Sequence, residues 1–295
     1  MPHTHHAAFE TFSSSALLIL AALVYVRGLV RIRRRGVDTI QGWHAASFLL
    51  GVFFVWLALA SPIAALDHEL LTVHMVQHLL LMTLAPPLIW LGAPVTPLIH
   101  ALPQRFVEGL IVPLFRWPLM KRLRKAMANQ AACWLAAAGV LVGWHVPALF
   151  MLGLESGIWH AIEQASFLIT GLLFWSPVVQ SRRTAPNGSE WPILLYLFLA
   201  TLPCDILSGF LVFCDRVVYP VYFSSTRTPG FSPLEDQQCA GALMWTCVTV
   251  VYFIAGTILT ARLLSPETSR HNWVVRSDSP LSASTQTTRS SLEVV

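Results

Sequence analysis

Charged residues are scarce in this chain of 295 residues: Asp, Glu, Lys and Arg make up 12% of it, and 55% is hydrophobic. Soluble domains carry about 25% charged residues, so a soluble fold is excluded. The long apolar stretches also lack the alternation of apolar and polar residues that a transmembrane β-barrel requires. The sequence therefore predicts an all-α integral membrane protein.

Paired cysteines are absent as well. The five cysteines form no Cys-x-Cys or Cys-x-x-Cys pair, which excludes a zinc or thioredoxin-type motif. The net charge is only +4, and the basic clusters flank apolar segments, so no nucleic-acid partner is expected. Cys214 and Cys239 flank the predicted outer loop 215–238, and we hypothesise that they form a disulfide.

Seven apolar stretches are long enough to cross a membrane, which takes about 20 helical residues. Residues 1–264 are predicted to form one seven-helix transmembrane domain. Residues 100–127 mix large apolar and basic residues, which indicates an interfacial segment in contact with membrane lipid. Residues 265–295 are rich in Ser and Thr and are predicted to be a disordered cytoplasmic tail. The predicted spans are about 12–31, 43–63, 70–91, 130–150, 159–179, 192–213 and 239–263.

The basic residues predict the orientation of this bundle. Seventeen Lys and Arg residues fall on one side of the seven spans, and only Arg216 and Arg227 fall on the other. Because Lys and Arg accumulate in cytoplasmic loops, the N-terminus is predicted outside and the C-terminus inside.

Polar residues in five of the predicted spans lie at one depth, in the outer half of the membrane. His74 and His78 are four residues apart, and His160 and Glu163 are three apart, so each pair shares a helix face. Titratable groups inside a membrane are costly and usually face the bundle interior or water. The candidate metal ligands are His74, His78, His145, His160, Met75 and Met244, and the candidate orienting or proton-accepting residues are Gln77, Glu163, Asp205, Asp236 and Gln237.

Three kinds of site suit these residues. Imidazole and thioether groups are copper ligands, and nearby carboxylates can orient the rings. A haem held between His74 or His78 and His145 or His160 is an alternative, and a proton path is another. The alternative for Asp205 is a structural role, in which its side chain binds a neighbouring helix and takes no part in the site.

Four motifs in order resemble the polytopic CtaG family of cytochrome c oxidase assembly proteins. They are HMVQHLLLMTLAPPLIWLGAP (74–94), GWHVPALF (143–150), HAIEQASFLITGLLFWSPV (160–178) and DQQCAGALMW (236–245), and YPVY (219–222) is similar too. The resemblance covers about residues 40–262. The positions that match the family's motif residues are His74, Gln77, His78, His145, His160, Glu163, Asp236, Gln237 and Met244.

The resemblance implies a non-enzymatic assembly factor in the bacterial inner membrane, which delivers or inserts copper into a haem–copper oxidase from the outer side. Its implied partners are cytochrome c oxidase subunits or a periplasmic copper donor. A membrane redox protein with a b-type haem and a copper transporter are the alternatives. Transport would need ligands that continue to the inner side, where His44 and His100 stand alone.

Overall fold

The computed structural model describes residues 2–35, 40–127, 129–184, 191–223 and 232–264, and the predicted tail lies outside these ranges. The described residues form helices and no strand, and a π-helical turn, Leu80–Leu84, joins α3 to α4. The helices are α1 (Pro2–Arg34), α2 (Gly42–Ala60), α3 (Leu71–Leu79), α4 (Ala85–Leu91), α5 (Val95–Ala101), α6 (Gln104–Phe106), α7 (Val112–Arg116), α8 (Pro118–Met127), α9 (Gln130–Trp144), α10 (Pro147–Glu155), α11 (Gly157–Thr184), α12 (Trp191–Phe213) and α13 (Pro233–Leu263).

Six of the described helical segments are long and apolar enough to span a membrane, and α9 with α10 makes a seventh if the bent pair counts as one span. The prediction of an all-α membrane bundle is therefore confirmed. The segment Leu71–Leu91 is its most enclosed span: 61% of its apolar window is buried, against 39% or less in the other five. This central span carries His74 and His78.

The fourth predicted span, residues 130–150, is a bent pair of helices and not one continuous helix. Helix α9 ends at Trp144, α10 begins at Pro147, and the two are bent by 76°. Proline disfavours a helical conformation in the residue before it, and Val146 is extended. The break leaves His145 at the C-terminal cap of α9.

Glycine allows α11 to approach the central span closely. A Cβ atom added to Gly171 would lie 2.8 Å from the Cα atom of Met82, so only glycine fits there without a shift of the backbone. The Trp175 indole, one turn further along α11, donates a hydrogen bond of 3.2 Å to the Met82 carbonyl. These contacts fix α11, which carries His160 and Glu163, against the helix that carries His74 and His78.

Two other predictions concern the loops. The segment 100–127 is helical in short pieces, α6 to α8, with a π-helical turn at Val107–Ile111. All five cysteines lie in the described ranges and none is in a disulfide there, with Cys214 partly exposed and Cys239 exposed. The structure therefore disagrees with the hypothesis of a disulfide between Cys214 and Cys239.

Candidate metal centre

His74, His78 and Glu163 converge at one point in the bundle. The Nε2 atoms of His74 and His78 lie 3.4 and 3.3 Å from the same oxygen, Oε1 of Glu163. All three side chains are 5% exposed or less. One helical turn separates the two histidines on α3, and α11 brings the carboxylate to the face that they share.

Apart from these two contacts, the polar side-chain atoms of this cluster have no hydrogen-bond partner in the part of the chain that the structure describes. Both ring nitrogens of His74, both of His78 and both carboxylate oxygens of Glu163 are buried without one. The surroundings are aromatic: His78 stacks on Phe167 with ring centres 4.0 Å apart, and His74 lies 4.9 Å from Phe150. Buried polar groups are almost always hydrogen-bonded, and leaving one unpaired costs about 1–3 kcal/mol. Such a cluster is suited to bind a cation.

His145 extends the cluster from the break between α9 and α10. Its Nδ1 atom lies 2.7 Å from the Leu141 carbonyl, and its Nε2 atom lies 3.3 Å from the Met75 sulfur. A carbonyl can only accept, so Nδ1 carries the proton, and Nε2 of the neutral ring presents a lone pair. The thioether sulfur also presents lone pairs, so the two atoms face each other as a pair of donors for a soft metal ion.

His160 belongs to a second group of ligand atoms nearer the end of the bundle. Its Nε2 atom lies 3.3 Å from Oδ2 of Asp67, whose Oδ1 lies 3.6 Å from Nε2 of His68. The sequence analysis proposed His160 but missed Asp67 and His68 as site residues. The available signal was their place in the short turn before α3, since a turn at that position faces the same end of the bundle as His74.

Gln77 and Gln237 hold the turns around the site. The Gln77 amide donates to the Ala64 carbonyl at 3.1 Å and to Oδ2 of Asp67 at 3.2 Å. Gln237 accepts from the Val218 backbone at 2.7 Å and donates to the carbonyls of Leu211 and Arg216. Their amides therefore fix the turn before α3 and the loop between α12 and α13.

Asp236 acts on a helix rather than on a histidine ring. Its carboxylate accepts hydrogen bonds from the backbone amides of Leu71 and Thr72 at 2.7 and 3.0 Å and from the Thr72 hydroxyl at 2.6 Å. These are the first residues of α3, whose leading amides have no partner within the helix. Asp236 therefore positions the helix that carries His74 and His78.

Two tyrosines between α12 and α13 donate hydrogen bonds to backbone carbonyls in the two groups of ligand residues. The Tyr219 hydroxyl donates to the His145 carbonyl at 3.0 Å, and the Tyr222 hydroxyl donates to the Asp67 carbonyl at 3.0 Å. Burial raises the pKa of both phenols, so they stay protonated and continue to donate. The similar YPVY segment thus has a structural role at the site.

The structure places two other predicted residues outside this contact network. Met244 is buried and lines a cavity of about 40 Å³ together with His78, His145 and Cys204. Asp205 is partly buried on α12, and its Oδ1 atom has no hydrogen-bond partner in the described part of the chain. No hydrogen bond or ion pair joins either residue to a histidine within the described ranges.

Comparison with known proteins gives one family and several distant relatives. The model of the family described as cytochrome c oxidase caa3 assembly factor matches residues 23–265. The uncharacterized protein Mb0105 of Mycobacterium bovis is 25% identical over 81% of this chain and 36% of its own length. The uncharacterized protein ML1998 of Mycobacterium leprae is 22% identical over 89% of this chain and 40% of its own length. The chain thus spans about two fifths of the length of these curated relatives, and no solved structure matches it.

Proposed function

This chain belongs to the cytochrome c oxidase caa3 assembly factor family, and from that premise we propose that it supplies copper to the oxidase during assembly. The ion is the protein's cargo, bound at the histidine cluster from the outer side of the bacterial inner membrane and passed on to an oxidase subunit. A periplasmic copper donor is the proposed source. The protein performs this transfer without catalysing a reaction.

The observation that carries the proposal is the buried convergence of His74 and His78 on Oε1 of Glu163, whose side-chain polar atoms have no hydrogen bond among the described residues. Two imidazoles and one carboxylate supply three ligand atoms to one face of a metal ion. Binding a cation there would remove the cost of the unpaired polar atoms.

Charge and softness favour copper in its cuprous state. With both imidazoles neutral, Glu163 contributes a single negative charge, which a monovalent ion neutralises and a divalent ion exceeds. A net charge in the membrane interior is costly. The thioether of Met75, 3.3 Å from Nε2 of His145, adds a soft donor beside the cluster, and such donors select Cu(I).

The geometry suits a haem less well than a single ion. A haem between two imidazoles needs space for a whole porphyrin between the rings. The cavity below His78 and His145 is about 40 Å³, which is enough for a few water molecules at most.

The inner-side histidines give no support to transport across the membrane. His44 stacks on Trp43 with ring centres 3.7 Å apart, and His100 contacts the Thr96 carbonyl at 2.8 Å. Both potential metal clusters in the described residues lie at the opposite end of the bundle. Delivery from one side therefore accounts for the ligands better than passage through the protein.

The test is metal binding by the purified full chain in detergent, with Cu(I) competed against a chromophoric chelator and with Zn(II) measured in parallel. His74→Ala and His78→Ala should each abolish tight Cu(I) binding at the buried cluster, and His44→Ala should bind as wild type does. Cells that carry the double variant His74→Ala/His78→Ala should make the oxidase subunits but have low oxidase activity, partly restored by added copper.

Three results would contradict the proposal. Normal copper binding and oxidase activity in the double variant would exclude the cluster as the site. Zn(II) binding that Cu(I) cannot displace would assign the cluster to zinc. A Soret band in wild type that is lost in the double variant would establish the haem alternative.

A further inference from the structure

Five imidazoles form a continuous series from the protein surface to the buried cluster. The ring centres of His68 and His160 are 5.7 Å apart, those of His160 and His74 are 5.8 Å apart, and those of His74 and His78 are 4.5 Å apart. His145 follows at 6.0 Å from His78. The exposed fraction of the side chain falls from 55% at His68 to 15% at His160 and to zero at His74.

The outer end of the series is a ligand set of its own. Asp67, His68 and His160 offer one carboxylate oxygen and two ring nitrogens that all lie within 4.8 Å of one another. The set joins the turn before α3 to the first turn of α11, whereas the buried cluster of His74, His78 and Glu163 lies deeper on the same two helices. The two sets share no residue.

Asp67 is held in place for this role. Its side chain is 5% exposed, yet its ion-pair partners in the described residues are two histidines and no Lys or Arg. The Tyr222 hydroxyl fixes its backbone carbonyl, and the Gln77 amide donates to its Oδ2 atom. A carboxylate with so little exposure needs a cation or hydrogen bonds. Among the described residues, the Gln77 amide supplies one hydrogen bond, and the ion-pair contacts are to the two histidines alone.

We propose that Asp67, His68 and His160 form a second copper site, which acquires the ion from the aqueous side and passes it to His74, His78 and Glu163. This inference rests on the proposed function of the buried cluster and adds the route by which the ion reaches it. His160 is the residue in contact with both sets, because it lies beside Asp67 and its ring stacks on that of His74 at an angle of 16°.

The transfer is a ligand exchange without a change of oxidation state. A Cu(I) ion held by Asp67, His68 and His160 loses its bond to His68 as a bond to His74 forms. It then leaves Asp67 and His160 as bonds to His78 and Glu163 form. Each donor atom supplies its own lone pair, so no electron or proton has to be added.

The experiment uses the full chain in detergent with Cu(I) under anaerobic conditions. Wild type should bind two ions per chain, and His68→Ala should bind one with the affinity of the buried site. His78→Ala should also bind one, but at the outer site. His100→Ala, which removes an exposed histidine at the other end of the bundle, is the matched control and should bind two.

Rapid mixing of Cu(I) with the protein then tests the route. His68→Ala should load the buried site more slowly than wild type and hold the ion with unchanged affinity at equilibrium. Asp67→Asn, which keeps an oxygen for the Gln77 amide, should lose the outer ion and load slowly as well.

Three results separate this proposal from the function of the buried cluster. One ion in wild type that is lost in His78→Ala, with His68→Ala unaffected, would overturn the outer site and leave the buried site standing. Loss of the outer ion in His68→Ala with an unchanged loading rate would overturn the route. A wild type that binds no copper would instead contradict the proposed function itself.

Discussion

The carboxylate of Asp236 accepts a hydrogen bond of 2.7 Å from the backbone amide of Leu71, although the two residues are 165 positions apart in the chain. Leu71 is the first residue of α3, so a side chain from the start of α13 caps the helix that carries the site. A negative charge at a helix N-terminus also interacts favourably with the helix dipole. The position of His74 and His78 therefore depends on α13 as well as on their own helix.

Replacing this cap should loosen the site without removing a ligand. We expect Asp236→Ala to cost about 1–2 kcal/mol of stability, as loss of a helix cap does, and to weaken Cu(I) binding. Asp236→Asn should have a smaller effect because one oxygen remains as an acceptor. Thermal unfolding in detergent and chelator competition measure the two quantities.

The matched control is Asp205→Asn, which makes the same change in another span. The Oδ1 atom of Asp205 is buried with no hydrogen-bond partner among the described residues, so neutralising this carboxylate should not lower the unfolding temperature or the copper affinity. Equal losses in Asp205→Asn and Asp236→Asn would show that any carboxylate in the bundle matters and that the cap has no special role.

Helix periodicity predicted the local part of the site, and contacts between distant segments account for the rest. The i,i+4 spacing correctly placed His74 and His78 on one face, and the common depth correctly brought Glu163 from α11 to that face. The break at Val146–Pro147 was missed because the apolar run continues through it, and it decides where His145 lies. Asp67 was missed because a hydropathy pattern does not show which side chains of a turn face the bundle, and Asp205 was included because depth alone does not say which way a side chain points.

Gly153 leaves room for the carboxylate of Glu163. A Cβ atom added to Gly153 would lie 2.8 Å from Oε2 of Glu163, which is too close for the carboxylate to stay in place. We therefore expect Gly153→Ala to move Glu163 relative to His74 and His78 and to weaken Cu(I) binding, as chelator competition will show.

Gly139→Ala provides the control for this substitution. A Cβ atom at Gly139 would meet nothing within 4 Å, and Gly139 is also helical. Both substitutions gain about 1 kcal/mol of helix propensity, so only the contact with Glu163 distinguishes them. If the two variants bind Cu(I) equally well, the position of Glu163 does not determine the affinity.

Replacing Met75 should change the protein's preference between Cu(I) and Zn(II) more than it changes the stability of the fold. Met75→Leu keeps the volume of the side chain and removes the sulfur that lies 3.3 Å from Nε2 of His145. Volume-conserving replacements usually cost less than about 1.5 kcal/mol. We expect the affinity for Cu(I) to fall and that for Zn(II) to change little, because thioethers favour the softer ion.

Met82→Leu is the comparison for Met75→Leu. Met82 lies two turns further along the same span, where it is partly buried in the apolar core. The Met82→Leu variant should bind Cu(I) and Zn(II) as wild type does. A parallel fall in Cu(I) affinity in the two methionine variants would mean that packing of the span, and not the sulfur beside His145, determines the affinity.

The orientation of the bundle decides which compartment supplies the copper. The turn that holds Asp67, the loop that holds Tyr219 and Tyr222 and the start of α13 meet at one end of the molecule. Arg31, which donates to the Ala101 carbonyl at 3.0 Å, lies at the other end among basic residues. Because the predicted topology assigns seventeen of nineteen Lys and Arg residues to the basic side, we expect that side to be cytoplasmic.

Reporter fusions measure this orientation directly. Alkaline phosphatase, which is active only after export, should be inactive when fused after Leu264 and active when inserted within residues 224–231. A fluorescent protein that folds only in the cytoplasm should give the opposite pattern at the same two positions. An active phosphatase after Leu264 would show that the bundle has the opposite orientation. The exposed His68 would then collect copper from the cytoplasm. Delivery from the outer side would have to be abandoned, even if every ligand assigned to the two sites were correct.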